Sequence, residues 1–378
     1  MANFLYEQLA SRLEEQIRTG LLKAGDKLVS VRGLSSEHGV SLSTAYQVYS
    51  ELENRGLIEA RPRSGYYVKV RRRPVTAPMA TMLQVKEAGT GNVQDMISAV
   101  YRQIPHKEIV LLSRAAPPEE LLPVAKLNKS MLETLRKSPT GNGHYEQLEG
   151  FEGLRKQVAK NAFNWGGQIS ADDVVTTQGC MEALVFCLRA LTKRGDTVAI
   201  ESPAYFGIFN IMLNLDLNVL EVPVAPEGGP DLDYLQKAIE NVQVKACLFV
   251  TNFSNPSGGL MPEVNKQRLV KLLRNRQIPL IEDDIYGDLY FNGKRPLNCK
   301  AFDTEGLVLL CSSVSKSLAP GYRVGWCIPG RFKEQVLNVK MMHTISSATP
   351  TQAAIAHFFE TGRYDLHLRK LRKTLYLQ

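Results

Sequence analysis

The stretch SSVSKSLAPGYRVGW, residues 312–326, places one lysine among serines directly after the apolar run LVLLC, residues 307–311. An apolar run of this length, bounded by small polar residues, is typical of a strand buried in a sheet. Lys316 and Arg323 would then lie just beyond that strand. A partly desolvated lysine has a lowered pKa and is a nucleophile toward aldehydes. The stretch therefore predicts a reactive loop at the edge of a buried sheet.

Further short apolar runs alternate with amphipathic stretches from about residue 95 onward. The alternation predicts an α/β layer fold with a mostly parallel sheet. Ligands of such sheets bind beyond the carboxyl ends of the strands. The predicted strands are DVVTTQ, TVAIES, KACLFV, PLIEDD, LVLLCSS and RVGWCIP, and two predicted helices are MEALVFCLRALTKRG and NKQRLVKLLRNRQ.

The residues that follow these strands each have a functional and a structural interpretation. Gly179 opens a helix whose N–H groups could hold an anion, although strand–Gly–helix junctions are common. Tyr205 either stacks on a flat ligand or packs, and Asn255 either binds a ligand or forms a turn. The acids of residues 282–284 either neutralise a buried cation, because buried carboxylates are costly, or emerge into solvent.

One cofactor, pyridoxal 5'-phosphate, accounts for all these loops together. It has an aldehyde, a phosphate, a phenolate oxygen and a pyridine nitrogen, and each needs a different protein group. We expect Lys316 to form the Schiff base, Asp283 to pair with the ring nitrogen and Tyr205 to stack on the ring. The phenolate oxygen would be bound by Asn255 and Tyr286, and the phosphate by Gly179, Cys180, Ser313, Ser315 and Arg323. No metal site is expected.

This ordered set resembles the fold-type-I aspartate aminotransferases, from about residue 108 to the end of the sequence. The segments that carry the resemblance are YEQLEGFEGLR, TTQGCMEAL, ESPAYFG, NPSG, EDDIYGDL and SVSKSLAPGYRVGW. In that family a tyrosine matching Tyr145 reaches the phosphate of the other subunit, and the segment SSATPTQ resembles another near the partner's site. The resemblance therefore implies a homodimer.

The first 70 residues have a different pattern. Leu5, Leu9, Leu13 and Ile17 predict a helix, and residues 30–56 read as two short helices around a turn. Two β-prone runs then flank RPRSG, which predicts a hairpin with a basic tip. The whole predicts a winged helix-turn-helix, and the alternative is a small helical bundle with solvated charges.

The chemistry of this segment suits double-stranded DNA. Hydroxyls of Ser43 and Thr44 at a helix N-terminus suit phosphate oxygens, and Gln47 can reach a base edge in the major groove. Arg61 and Arg63 at the hairpin can lie along phosphates or enter the minor groove.

The segment KLVSVRGLSSEHGVSLSTAYQVYSELENRGLIEARPRSGYYV resembles the DNA-binding domain of GntR-type bacterial regulators. The resemblance implies DNA contacts from Arg32, Ser41, Thr44 and Gly65. A GntR-like domain joined to an aminotransferase-like domain is the architecture of MocR-type regulators. We expect a winged helix-turn-helix in residues 1–70, a linker in 71–94 and the cofactor-binding domain in 95–378. Members of that group continue beyond the position of Gln378, so we expect the small C-terminal domain, with its substrate-carboxylate arginine, to be largely missing.

The resemblance implies a transcriptional regulator that binds an operator and senses pyridoxal 5'-phosphate, and an amine or amino acid as well, through aldimine exchange at Lys316. The alternatives are an aminotransferase with an accessory DNA-binding domain and an inactive remnant. The formal net charge of +8 is compatible with a polyanionic partner. The N-terminus has no apolar signal-peptide segment, and no apolar run approaches the roughly 20 residues that span a bilayer. Six cysteines without CxxC spacing indicate free buried thiols. We therefore expect a cytoplasmic protein.

Overall fold

The computed structural model describes residues 5–61, 64–69, 115–137, 143–225, 227–291 and 293–377. The predicted linker and Arg63 lie outside these residues. The chain divides into two compact units, one of residues 1–78 with 373–378 and one of residues 79–372.

The N-terminal unit contains three helices and a two-stranded antiparallel hairpin. The elements are α1 (Leu5–Arg18), α2 (Val31–His38), α3 (Leu42–Asn54), β1 (Ile58–Arg61) and β2 (Gly65–Val68). Gly39 ends α2 in the left-handed conformation with φ of 62°, which a glycine adopts without strain. Ala45, Val48, Tyr49 and Leu52 recur at helical spacing on α3 and are completely buried. The prediction of a winged helix-turn-helix is therefore confirmed.

The larger unit is built on one seven-stranded sheet with the order β3-β9-β8-β7-β6-β4-β5. Its strands are β3 (Val175–Thr177), β4 (Thr197–Ser202), β5 (Asn218–Pro223), β6 (Val244–Phe249), β7 (Leu280–Asp283), β8 (Val308–Ser313) and β9 (Gly325–Ile328). All neighbouring pairs are parallel except those that involve β9. The six predicted strands are all present, and β5 is a seventh that sequence reasoning did not predict.

Helices cover both faces of this sheet. They are α4 (Val124–Lys137), α5 (Glu152–Ala162), α6 (Cys180–Leu191), α7 (Phe206–Asn214), α8 (Leu232–Asn241), α9 (Glu263–Asn275), α10 (Lys333–His343), α11 (Thr349–Glu360) and α12 (Arg363–Leu377). Successive residues of β8 enter different cores, as strand geometry requires. Leu309 and Cys311 pack with α6 and α10, whereas Leu310 packs with α5, α11 and α12. The predicted α/β fold is confirmed.

The position of β9 brings distant residues to one edge. β3 is antiparallel to β9, and β9 is antiparallel to β8, so β3 points the same way as the parallel strands. The carboxyl ends of β3, β4, β6, β7 and β8 therefore share an edge with the start of β9. In the described part of the chain, no helix is both long enough and apolar enough to traverse a bilayer. All six cysteines are buried and free, as predicted: Cys180, Cys187, Cys247, Cys299, Cys311 and Cys327.

Candidate functional site

The loops after β3 and β8 meet at the start of β9. Gly325 pairs with both Thr177 and Ser313. A Cβ atom added to Gly325 would lie 2.6 Å from the carbonyl carbon of Gly179, so only a glycine allows the two backbones to approach this closely. The sheet thus places Gly179, Ser313 and Arg323, which are far apart in sequence, in one location.

The guanidinium of Arg323 lies at this point and completes a group of hydrogen-bond donors that we call the cradle. Its Nη2 donates to the carbonyl of Gln178 at 2.7 Å, and its Nη1 lies 3.4 Å from the Ser315 hydroxyl. A Cβ atom on Gly179, whose φ is 95°, would lie 2.3 Å from Nη2. The Ser313 hydroxyl accepts a hydrogen bond from the Ser315 N–H at 3.2 Å. With the N-terminus of α6 beside them, these groups combine a cation, hydroxyls and helix N–H groups, the donor set that phosphate prefers.

A buried carboxylate lies beside this cradle. The Oδ1 atom of Asp283 accepts hydrogen bonds from the Cys180 thiol at 3.3 Å and from the Ile285 N–H at 3.1 Å. Burial raises the pKa of Asp283 to about 6, and the charge of Lys316 partly opposes that rise. A cation placed against this carboxylate would be strongly favoured, because it would offset the cost of burying the charge. The predicted pairing with a protonated ring nitrogen fits this environment.

The other two predicted acids, Glu282 and Asp284, are bound by protein groups that are not part of the cradle. Glu282 is completely buried and accepts hydrogen bonds from the Thr251 hydroxyl at 2.5 Å and the Cys299 N–H at 2.7 Å. Asp284 forms a buried ion pair with Arg295. The alternative that these acids emerge into solvent is therefore wrong.

The predicted partners of the phenolate oxygen lie together next to the lysine. The Asn255 side-chain amide donates to the Tyr286 hydroxyl at 3.4 Å. The ammonium of Lys316 lies 5.9 Å from the centroid of the Tyr286 ring. Burial, and after it the charge of Asp283, raises the pKa of Tyr286 to about 12. Its hydroxyl therefore remains a hydrogen-bond donor at neutral pH.

Two predicted tyrosines are less directly connected to Lys316. Tyr205 precedes α7 and is half-buried, with its ring centroid 4.5 Å from that of Phe206 and its side chain packed against the core that includes Cys180. Tyr145 is 80% exposed in a single protomer. Its predicted role needs a second subunit, and it stays a prediction.

A buried network behind the lysine was not predicted. Arg295 pairs with both Asp284 and Asp288, and the Tyr364 hydroxyl donates to Asp288 at 2.7 Å. Tyr364 also lies 2.9 Å from the hydroxyl of Ser317, the residue after Lys316. Through Tyr364, helix α12 thus contacts the loop that carries Lys316, which we call the lysine loop. No local pattern marks these residues, because their pairing depends on the tertiary fold.

The hydroxyl residues predicted for DNA binding cluster at the start of α3. The Ser41 hydroxyl accepts the Thr44 N–H at 3.1 Å and lies 2.8 Å from the hydroxyls of Ser43 and Thr44. Gln47 is exposed about one turn further along the helix. Tyr46, which sequence reasoning missed, is 59% exposed beside it. The cluster gives α3 an uncharged, donor-rich end of the kind that contacts phosphates.

The other predicted DNA contacts lie on the hairpin and on α2. Arg61 on β1 is exposed, stacks on the Tyr67 ring at 4.3 Å and pairs with Glu59 at 2.9 Å. Gly65, with φ of 105°, begins β2. Arg32 is exposed near the start of α2. In the part of the chain that the structure covers, no cluster of three or more His, Cys, Asp or Glu side chains could hold a metal ion.

Comparison with known proteins assigns both units to families. The profile of the family "Aminotransferase class I and II" matches residues 107–375, and that of "Bacterial regulatory proteins, gntR family" matches residues 5–68. The uncharacterized HTH-type transcriptional regulator YjiR of Escherichia coli is 37% identical over 373 residues, which cover 97% of this chain and 78% of YjiR. The HTH-type transcriptional regulator NorG of Staphylococcus aureus is 24% identical and is covered to 78%.

Solved structures of aminotransferases share the larger unit's fold. Kynurenine aminotransferase from Pyrococcus horikoshii, in complex with PMP, superposes with a TM-score of 0.67 at 26% identity over 76% of this chain and 71% of that one. LysN from Thermus thermophilus, complexed with N-(5'-phosphopyridoxyl)-L-leucine, gives a TM-score of 0.63 at 26% identity, and the match covers 68% of this chain and just under two thirds of LysN, 66%. The chain therefore belongs to the MocR-type transcriptional regulators, in which a gntR-family helix-turn-helix domain is joined to an aminotransferase class I and II domain.

Proposed function

We propose that this protein is a cytoplasmic, DNA-binding transcriptional regulator that binds pyridoxal 5'-phosphate at Lys316 and senses its presence. The observation that carries the proposal is the arrangement around Lys316. A buried carboxylate with a raised pKa lies on one side, a guanidinium–hydroxyl cradle on another, and a protonated phenol near the ammonium. These are the complementary groups for a ring cation, a phosphate and a phenolate oxygen.

Each residue would have a separate task. Arg323, Ser313, Ser315 and the N–H groups of Gly179 and Cys180 would hold the phosphate. Asp283 would hold a proton on the ring nitrogen, because a cation there stabilises its buried charge. Asn255 and Tyr286 would donate to the phenolate oxygen, Tyr205 would cover the ring, and Tyr145 would reach the partner's phosphate in a homodimer.

When bound, the cofactor supplies an aldehyde that reacts reversibly with amines. Lys316 would occupy that aldehyde in the absence of effector. An amine or amino acid that competes with Lys316 is the proposed effector, since release would return the lysine's charge to the vicinity of Asp283 and Tyr286. A local change of charge and packing of this kind can bias a two-state protein.

The N-terminal unit would bind double-stranded operator DNA. The Ser41, Ser43 and Thr44 hydroxyls would contact phosphates at the start of α3, and Gln47 would face base edges. Arg61, Arg63 and the backbone at Gly65 would contact the DNA from the hairpin, and Arg32 would add a phosphate contact from α2. A homodimer would then recognise two half-sites.

Absorbance and covalent capture test the cofactor part directly. The purified full chain should develop a visible absorbance band with pyridoxal 5'-phosphate, and borohydride should fix the cofactor to Lys316. The Lys316→Ala variant should lose both signals, whereas Lys294→Ala, which alters an exposed lysine, should retain them. Protein that stays colourless with excess cofactor, or covalent attachment that survives Lys316→Ala, would refute this assignment.

Gel-shift measurements test the regulatory part. The full chain should retard DNA from its own upstream region, and Gln47→Ala should weaken the retardation. Addition of pyridoxal 5'-phosphate or of amino acids should change the affinity or the mobility of the complex. Binding without sequence preference, with or without cofactor, would remove the regulatory function.

A second candidate function is an aminotransferase reaction at the same site. It is favoured by the position of Lys316 close to the Tyr286 ring and to the charge of Asp283. The lysine could there act as the base that moves a proton on a bound amino acid. Single-turnover absorbance changes with a panel of amino acids would reveal it. An unchanged band with every amino donor would exclude it.

A further inference from the structure

A cavity of about 360 Å³ lies behind the lysine loop, and none of the residues predicted to hold the cofactor lines it. Its walls come from α5, α12, strands β8 and β9 and the segment after β7. Ser312 and Trp326 lie at the sheet side, and Tyr290 and Arg372 lie at the α12 side. A volume of this size is at the small end of those that hold metabolites.

The inner wall carries one net negative charge. Arg295 pairs with Asp284 and Asp288, and Asp288 also accepts the hydrogen bond of Tyr364. The single guanidinium therefore leaves one of the two carboxylate charges uncompensated. The outer wall supplies the other two cations that line the cavity.

Two arginines of α12 dominate that wall. Arg369 and Arg372 are one turn apart, and neither forms an ion pair with a carboxylate of the residues that the structure describes. The guanidinium of Arg372 lies 3.9 Å from the Tyr290 ring centroid, and its Nε atom is buried without a hydrogen-bond acceptor among those residues. A buried N–H group without an acceptor is costly, and a ligand oxygen would remove that cost. Among the described residues of α12 that line the cavity, the one other charged side chain is the exposed Asp365. Arg372 also lies near enough to Asp288 to lower its pKa.

We propose that this cavity binds a small carboxylate anion, of the size of a four- or five-carbon dicarboxylate. One carboxylate would bind the fixed, planar guanidinium of Arg372, whose stacking on Tyr290 already orients it. The second would lie near Arg369. The inner wall, where Arg295 bridges Asp284 and Asp288, would face the carbon chain and solvating water.

The site would act on the lysine loop through one side chain. Tyr364 lines the cavity and lies 2.9 Å from the Ser317 hydroxyl, next to Lys316. This consequence rests on the proposed function, whereas anion binding itself does not. The two can be measured separately, because binding can be followed in protein without pyridoxal 5'-phosphate.

Calorimetric titration of the full chain with succinate tests the site. We expect the wild type to bind succinate saturably. We expect it not to bind the uncharged diamide of the same length. Arg372→Gln and Arg369→Gln should each weaken succinate binding by about tenfold or more, since each removes a charge-assisted hydrogen bond. Lys160→Gln removes an exposed charge of α5 outside the cavity lining and should bind like wild type.

Arg372→Lys tests whether anion binding needs the guanidinium itself or only a positive charge in a folded protein. It keeps the charge but loses the planar fork and the Nε donor, so we expect a folded protein with weakened binding. Thermal melting verifies that each variant is folded. Absence of succinate binding by the wild type would overturn the proposal. Equal weakening by Lys160→Gln, or undiminished binding by folded Arg372→Gln and Arg369→Gln, would do the same.

Discussion

Replacing Asp283 by asparagine should stabilise the cofactor-free protein while it impairs cofactor binding. Asparagine keeps the oxygen that accepts the Cys180 thiol and the Ile285 N–H, so the local hydrogen bonds survive. It removes the charge, which burial disfavours. The substitution thus separates the destabilisation caused by the buried carboxylate charge from the proposed role of that charge in cofactor binding.

The magnitude follows from the pKa of Asp283, which is raised from 3.8 to about 6. The folded protein holds the proton more tightly than the unfolded chain, so wild-type stability falls as the pH rises from about 4 to about 6. At 1.36 kcal/mol per pKa unit, this difference corresponds to about 3 kcal/mol. Asp283→Asn avoids that loss. Its free energy of unfolding should exceed that of wild type by up to about 3 kcal/mol at pH 7.5 and should equal it near pH 4.

Urea denaturation of both cofactor-free proteins across this pH range measures the difference. Asp288→Asn is the matched control, because Arg295, Tyr364 and Arg372 lower the pKa of Asp288, although its partial burial opposes this. Asp288 contributes stability above about pH 4 that is lost as the pH falls through its folded pKa, so its substitution should destabilise at neutral pH. The reasoning is refuted if Asp283→Asn gives no stabilisation at pH 7.5 or one that does not change with pH.

Three other substitutions test single contacts. Gly179→Ala places a Cβ atom 2.3 Å from Arg323 Nη2, so cofactor affinity measured by absorbance titration should fall about tenfold or more; unchanged affinity would exclude the cradle. Tyr364→Phe removes a hydrogen bond to the carboxylate of Asp288 and should lower the free energy of urea unfolding by about 2 kcal/mol, whereas a loss well under 1 kcal/mol would show that the contact is weak. Ser41→Ala removes the cap of α3 and should cost the N-terminal unit about 1 kcal/mol in urea unfolding; an unchanged midpoint would contradict the capping role.

The features that could be predicted from the sequence were local ones. TVAIES matches β4 residue for residue because a continuous apolar run bounded by polar residues has few other solutions. β5 was missed because it begins with Asn218 and Glu221 interrupts its apolar residues, as suits a strand paired on one side only. The sequence also could not indicate that β9 runs antiparallel, since strand direction leaves no mark on composition.

The candidate site, too, could be predicted only where its residues belong to local sequence patterns. Asp283, Ser313 and Lys316 could be placed because each lies within a few residues of a strand end. The ion-pair partner of Asp284 could not be predicted, because Arg295 reaches it from a loop that no periodicity identifies. The same holds for Tyr364, because its contact with Ser317 depends on the packing of α12.

The sheet order has a consequence for how the protein is made. β3 is synthesised first of the seven strands, yet among the described residues it pairs in the sheet only with β9, which is synthesised last of the seven. Until Gly325 has emerged, Gly179 has no Arg323 beside it, and the phosphate cradle does not exist. If the proposed function holds, binding of pyridoxal 5'-phosphate would begin only after all seven strands have been translated, and a shorter nascent chain would not respond to it.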